Sequence, residues 1–197
     1  MPRTDATPLV WDDSGWLRNV AACPSPNFGP RPPGVLVDLL VVHCISLPPG
    51  QYGGTAVLDF FQNRLDASAH PYFQEIAALQ VSAHFFVRRD GHIWQCVSAD
   101  ARAWHAGVSR YLGREGCNDH SIGIELEGVV GEGFDARQYA SLAALCNAAR
   151  QRYPIAHVAG HEHIAPGRKD DPGPGFDWVA LQKRLGWPLG TFPNCAG

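Results

Sequence analysis

Val37-Asp-Leu-Leu-Val-Val-His43 is the stretch on which the architecture turns. Branching at Cβ favours a pleated chain over a helical turn, and apolar side chains at consecutive positions need cover on both faces. An unbroken run of this kind predicts a central strand, over Val35 to Ile45, rather than a half-exposed one. The segment after it, Leu47-Pro-Pro-Gly-Gln-Tyr-Gly-Gly54, cannot continue a strand. The run therefore delivers an imidazole, His43, to the mouth of a loop, where function tends to gather.

Working outward, Ser121-Ile-Gly-Ile-Glu-Leu-Glu127 alternates, which predicts a strand with Ile122, Ile124 and Leu126 on one face and Glu125 with Glu127 on the other, bordering a cleft. Ala83 to Val87 and Ile93 to Val97, joined through Arg88-Arg-Asp-Gly91, predict a hairpin with a two-residue Asp-Gly turn. A helix capped by Thr55 is expected through Asn63, and a short one near Tyr72 to Leu79. Asp135 to Tyr153 has Tyr139, Leu142, Leu145, Cys146 and Ala149 at helical spacing and Pro154 to stop it. A short strand, Ile155 to Ala159, and a helix, Phe176 to Leu185, complete the pattern. Before the first strand, Pro24, Pro26, Pro30, Pro32 and Pro33 oppose regular pairing, so residues 1–34 are expected as an extended arm on the domain surface.

The densest chemistry lies in His161-Glu-His-Ile-Ala-Pro-Gly-Arg-Lys-Asp-Asp-Pro-Gly173, a segment too polar for core. Imidazole nitrogen and carboxylate oxygen are good ligands for Zn2+, and the prolines and glycines can hold such a spacing in one loop. His43 supplies a third donor if the strand ends beside this loop. Within the loop His161 and His163, and Asp170 and Asp171, remain rivals. A zinc ion with two histidines and one carboxylate keeps a position for water, whose pKa falls from 15.7 to about 7. Hydrolysis by such a site also needs a base and a partner for the oxyanion, and Glu125 and Lys169 suit those tasks in type.

Composition excludes several classes. The 197 residues, 45% of them hydrophobic, can fill one core, so one domain is expected. A net charge of -3 without a basic cluster leaves no footprint for nucleic acid. No apolar segment approaches the about 18–20 residues needed to cross a bilayer, and the N-terminal stretch carries Asp12 and Asp13 where a signal peptide would stay apolar, so a soluble cytoplasmic protein is expected. Six cysteines without a Cys-x-x-Cys pair predict reduced thiols.

Taken in order, Leu40-Val-Val-His43, Ile45-Ser-Leu-Pro-Pro-Gly50, His70-Pro-Tyr-Phe73, Val81-Ser-Ala-His84, Arg102-Ala-Trp-His-Ala-Gly107, Cys117-Asn-Asp119, Ser121 to Gly128 and Ile164 to Gly173 resemble the zinc N-acetylmuramoyl-L-alanine amidase family, and within it the cytosolic anhydro-muramyl-peptide amidases. The likeness runs from about Trp16 to Leu185. It implies an α/β fold shared with T7-type lysozyme and peptidoglycan recognition proteins, with a mixed central sheet flanked by helices. It implies a catalytic domain over 35–187 with 188–197 as a tail. The implied reaction is hydrolysis of the amide between (1,6-anhydro-)N-acetylmuramic acid and L-alanine in muropeptides during cell-wall recycling; a monomer acting on a small-molecule muropeptide is expected. By position, His43, His161 and Asp171 match the zinc ligands, Glu125 the proton acceptor, and Lys169 the lysine that stabilises the transition state. His163 and Asp170 become bystanders. Two positions depart from the pattern: Cys44 follows the first ligand where asparagine is usual, and His120 stands in place of an aromatic residue. On a strand Cys44 points away from His43 and is not expected to bind zinc. Two other readings are a non-catalytic muropeptide-binding sensor and a zinc peptidase cutting within the peptide.

Overall fold

A computed structural model of the chain describes residues 8–193. Residues 1–7 of the arm and residues 194–197 of the tail, with the Cys195 thiol, lie outside the described residues. In chain order the elements are β1 (Ala21–Ala22), β2 (Phe28–Gly29), β3 (Leu39–Ile45), α1 (Ala56–Phe61), α2 (Pro71–Ile76), β4 (Phe85–Val87), β5 (Ile93–Gln95), β6 (Arg102–Ala103), β7 (Arg110–Tyr111), β8 (Arg114–Glu115), β9 (Ser121–Glu127), α3 (Ala136–Arg152), β10 (His157–Gly160), α4 (His161–Ile164) and α5 (Trp178–Leu185).

The apolar run ending in His43 is central. A six-stranded sheet is ordered β1-β5-β4-β9-β3-β10. β3 is parallel to both its neighbours, β9 is parallel to β4, and β5 turns back antiparallel, so the sheet is mixed. The strand begins at Leu39 rather than Val35, because the Val35 amide closes a turn on Pro32.

Alternation along β3 and β9 sorts the sheet into two faces. Leu40, Val42, Ile122, Ile124 and Leu126 join the main core with Leu142, Leu145 and Cys146 of α3 and Trp178 and Leu181 of α5. Burial of each such large side chain is worth about 1.5–3 kcal/mol. The other face carries Leu39 and Val41 in one small cluster, Phe86 with the α1 and α2 phenylalanines in another, and the polar residues His43, Ser121 and Glu125.

α3 forms as its spacing predicts. The Asp135 carboxylate accepts from the Arg137 amide at 2.9 Å, and Gln138 accepts from the Asp135 amide at 3.0 Å. The buried Gln138 also donates to Glu127 O and Val87 O, tying the helix to β9 and β4.

Several expectations need correction. The hairpin turn is not two residues: Arg88 N bonds His92 O and Gly91 N bonds Arg88 O, leaving a three-residue loop with Gly91 at φ 84°. Thr55 precedes α1, but its side chain makes no cap hydrogen bond. The polar stretch from His161 is not all loop, since His161–Ile164 forms a helical turn, α4. The arm does pair: β1 runs parallel to β5, and β2 runs antiparallel to β6 between Pro26 and Pro30. A proline removes only its own donor, so short pairings survive between prolines. The Arg31 guanidinium pins the arm to the interior through Asn118, Asp119, Ala99 and Ser121 carbonyls. Among the described residues, five cysteines are free thiols, and no helix is long and apolar enough to cross a membrane.

Candidate active site

The site assembles where three parallel strands end. β3 delivers His43, β9 delivers Glu125 as its direct register partner, and β10 runs straight into α4, whose first residue is His161. The chain then returns so that Glu162 N donates to Asp171 O at 2.8 Å, which holds the Asp171 backbone against α4.

His43, His161 and Asp171 converge. His43 Nδ1 lies 2.9 Å from His161 Nδ1 and 3.2 Å from Asp171 Oδ2, and His161 Nδ1 lies 3.2 Å from Asp171 Oδ1. Zinc–nitrogen bonds of about 2.0–2.1 Å in a tetrahedron put ligand atoms about 3.3 Å apart, close to this triangle. His161 Nε2 donates to Ala106 O at 3.2 Å, which leaves its Nδ1 bare. Two imidazole nitrogens and a carboxylate oxygen at this spacing form a donor set that can hold a cation. The residues present therefore fit a metal ion.

The electrostatics agree with that donor set. Burial lowers the His43 pKa to about 4, so the ring is neutral and its lone pair available. Burial pushes the Asp171 carboxyl up, but its contacts with His161 and His43 prevail and hold it well below the usual range. Glu125 differs: burial, then the nearby Asp171 charge, raise its carboxyl well above the usual value, with Lys169 opposing. Its Oε2 is sealed and has no hydrogen-bond partner within the protein. Glu125 and the exposed Lys169 line one cleft of about 350 Å3 together with His161 and Asp171, and its lining also includes Phe60, Tyr72, Ile76 and Trp104.

The rivals separate in space. His163 Nδ1 accepts from Gly160 N at 3.0 Å and its ring packs on Trp178, while Asp170 is exposed; neither joins the triangle. Glu127 shares the strand face of Glu125 but does not border the cleft as expected. It is buried and accepts from Gly53 N at 2.6 Å and Arg89 N at 3.0 Å, so its carboxylate is used in holding loops. The Cys44 Sγ faces Pro172 O at 3.9 Å, and burial keeps it a thiol. His120 sits against Asp38, 3.4 Å away, and is not among the cleft residues.

Sequence reasoning assigned nothing to His105, Ser121 and His84, which fill the space behind His43. His105 Nδ1 lies 2.9 Å from His43 Nε2, and its ring covers Gly123. A glycine inside an otherwise apolar strand, Ile122-Gly-Ile124, was the available signal, since it marks a close approach.

His43 on β3, His161 directly after β10 and Asp171 on the chain returning against α4 form a metal-competent donor set, with a carboxylate and a lysine in the adjoining cleft, an arrangement suited to hydrolysis. Comparison with known proteins makes the class specific. Residues 32–174 match the model of the N-acetylmuramoyl-L-alanine amidase family. The chain is 54% identical over 172 residues to the 1,6-anhydro-N-acetylmuramyl-L-alanine amidase AmpD of Citrobacter freundii, covering 86% of this chain and 92% of that protein. It superposes on the crystal structure of a selenomethionine AmpD derivative with a TM-score of 0.86 at 52% identity, covering 89% of this chain and 99% of the other. The Escherichia coli amidase AmiD, solved with the substrate anhydro-N-acetylmuramic acid-L-Ala-D-γ-Glu-L-Lys, is 30% identical with a TM-score of 0.57, over 78% of this chain and 60% of that one. A human peptidoglycan recognition protein shares the fold, at 17% identity and a TM-score of 0.58, over 87% and 93% of the two chains. The chain belongs to the N-acetylmuramoyl-L-alanine amidase family, whose members are hydrolases.

Proposed function

We propose that this chain hydrolyses the amide between 1,6-anhydro-N-acetylmuramic acid and L-alanine in muropeptides, as a cytoplasmic monomer in peptidoglycan recycling, with zinc held by His43, His161 and Asp171. The observation that carries the reading is the triangle of two imidazole nitrogens and a carboxylate beside Glu125. The substrate is supported by the relative at 54% identity, a 1,6-anhydro-N-acetylmuramyl-L-alanine amidase.

A zinc ion in such a site lowers the pKa of water and polarises the amide carbonyl. Glu125 takes the proton of the attacking water and returns it to the departing alanine nitrogen, a service worth about 10²–10⁴ in rate. Burial raises its carboxyl above the ordinary value, the direction that makes it a better proton acceptor. The Lys169 ammonium stands beside the negative charge that develops on the carbonyl oxygen, a contribution of about 10²–10³. The apolar side chains of the cleft lining would exclude water from a bound substrate.

The test is incubation of zinc-free and zinc-loaded protein with anhydro-muramyl-tripeptide, followed by mass analysis. Zinc-dependent release of intact tripeptide is expected. No zinc-dependent product would refute the proposal, and fragments cut within the peptide would make the enzyme a peptidase instead.

A further inference from the structure

A metal-binding His43 must present a bare Nδ1, yet a free imidazole divides its proton between both nitrogens. The groups behind His43 decide the matter. Its Nε2 lies 2.9 Å from Nδ1 of His105, and Nε2 of His105 lies 3.2 Å from Ser121 Oγ. Ser121 in turn donates to Cys117 O at 2.5 Å. A carbonyl oxygen only accepts, so the protons can be assigned backward from it. Ser121 gives its one proton to Cys117 O, and its oxygen then accepts from His105 Nε2. A neutral imidazole has a single N–H, and His105 uses it on Ser121 through Nε2, so its Nδ1 is an acceptor. That acceptor requires the proton of His43 to sit on Nε2, leaving Nδ1 free.

We infer that His105 and Ser121 are positioning residues, forming a relay anchored on the Cys117 carbonyl that fixes the Nε2–H form of His43 and aims its Nδ1 at the metal. The inference rests on the proposed ligand role of His43. His161 reaches the same result directly through Ala106 O, so the two histidines are set by the same device at different lengths. The relay is also held in place. A Cβ at Gly123 would come within 2.5 Å of the His105 ring, and the amides of His105 and Ala106 both donate to Asn118 Oδ1, at 3.0 and 2.8 Å. Outer partners of metal-binding histidines typically contribute about 10–100-fold in metal affinity or activity.

The test uses the full chain labelled with 15N-histidine. Long-range proton–nitrogen correlation should find the proton on Nε2 of His105, zinc-free and zinc-loaded alike; a proton on Nδ1 of His105 overturns the inference. Zinc affinity by chelator competition gives a second measure. His105→Leu, which has no acceptor, should bind zinc about 10–100-fold more weakly. His105→Asn, whose Oδ1 can stand where Nδ1 stands, should stay close to wild type. Equal affinities in these two variants would overturn the relay. If His105→Leu does not fold, Ser121→Ala decides, since unchanged zinc affinity there would also overturn it. A wild-type chain that binds no zinc would bring down the metal reading of the triangle, while the tautomer signals would still decide the relay.

Discussion

Glu125→Gln separates the base from the ligands. The change is nearly isosteric, and Oε2 has no hydrogen-bond partner within the protein, so nothing structural is lost with it. Glu125 is also outside the His43, His161, Asp171 triangle. Loss of a general base costs about 10²–10⁴ in rate, or about 3–5 kcal/mol of barrier. The expected result is a fall of that size in kcat with zinc content unchanged, measured by tripeptide release and by atomic absorption on the same preparation. The zinc-free variant should also be more stable than wild type at neutral pH. A carboxyl whose folded pKa is raised keeps its full contribution below its unfolded pKa and loses it as pH climbs through the folded one; glutamine has no proton to lose. Denaturant titration at pH 7 reads this directly. A rate loss below tenfold would refute the base role, and lost zinc would mean that Glu125 is a ligand.

Three further outcomes are expected. Asp171→Ala should lower zinc stoichiometry while circular dichroism stays native, and full zinc occupancy would return the carboxylate role to Asp170. Zinc-free protein should lose stability in acid. Burial holds His43 at about 4 against an ordinary 6.5, so the unfolded chain takes up that proton first, and about 3 kcal/mol is lost as pH falls from 6.5 to 4. His84, lowered to about 3, adds to the loss and extends it to lower pH, and flat stability between pH 7 and 4 would contradict both assignments. Gly123→Ala should cost about 1–3 kcal/mol by pushing a methyl into the His105 ring, as thermal unfolding can show, and a neutral effect would mean that the ring moves freely.

What could be read from sequence was what periodicity and composition encode. The unbroken run of β3, the alternation of β9 and the spacing of α3 each give an element of the right kind, because each must bury a defined face. The proline-rich arm was legible only as non-helical. Its pairing depends on edges offered by β5 and β6, distant in the chain. Residue type could nominate His161 with His163 and Asp171 with Asp170, but not choose between them. Their different placement follows from the helical turn of α4, which points His161 at His43 and turns His163 back to Gly160. His105 was hidden for the same reason: its partner is 62 residues away, and only the strand register brings the two together.

The pairing of His43 with Glu125 across β3 and β9 has a consequence for how such a chain can diverge. Along both strands residues alternate between the main core and the opposite face, which carries His43 and Glu125, so inserting or deleting one residue would exchange the two sets wholesale. No tolerated length change inside these strands can shift the chemistry by a small step. Changes that leave His43 and Glu125 in place are confined to the segments beyond the strand ends, such as 46–55 and 128–135.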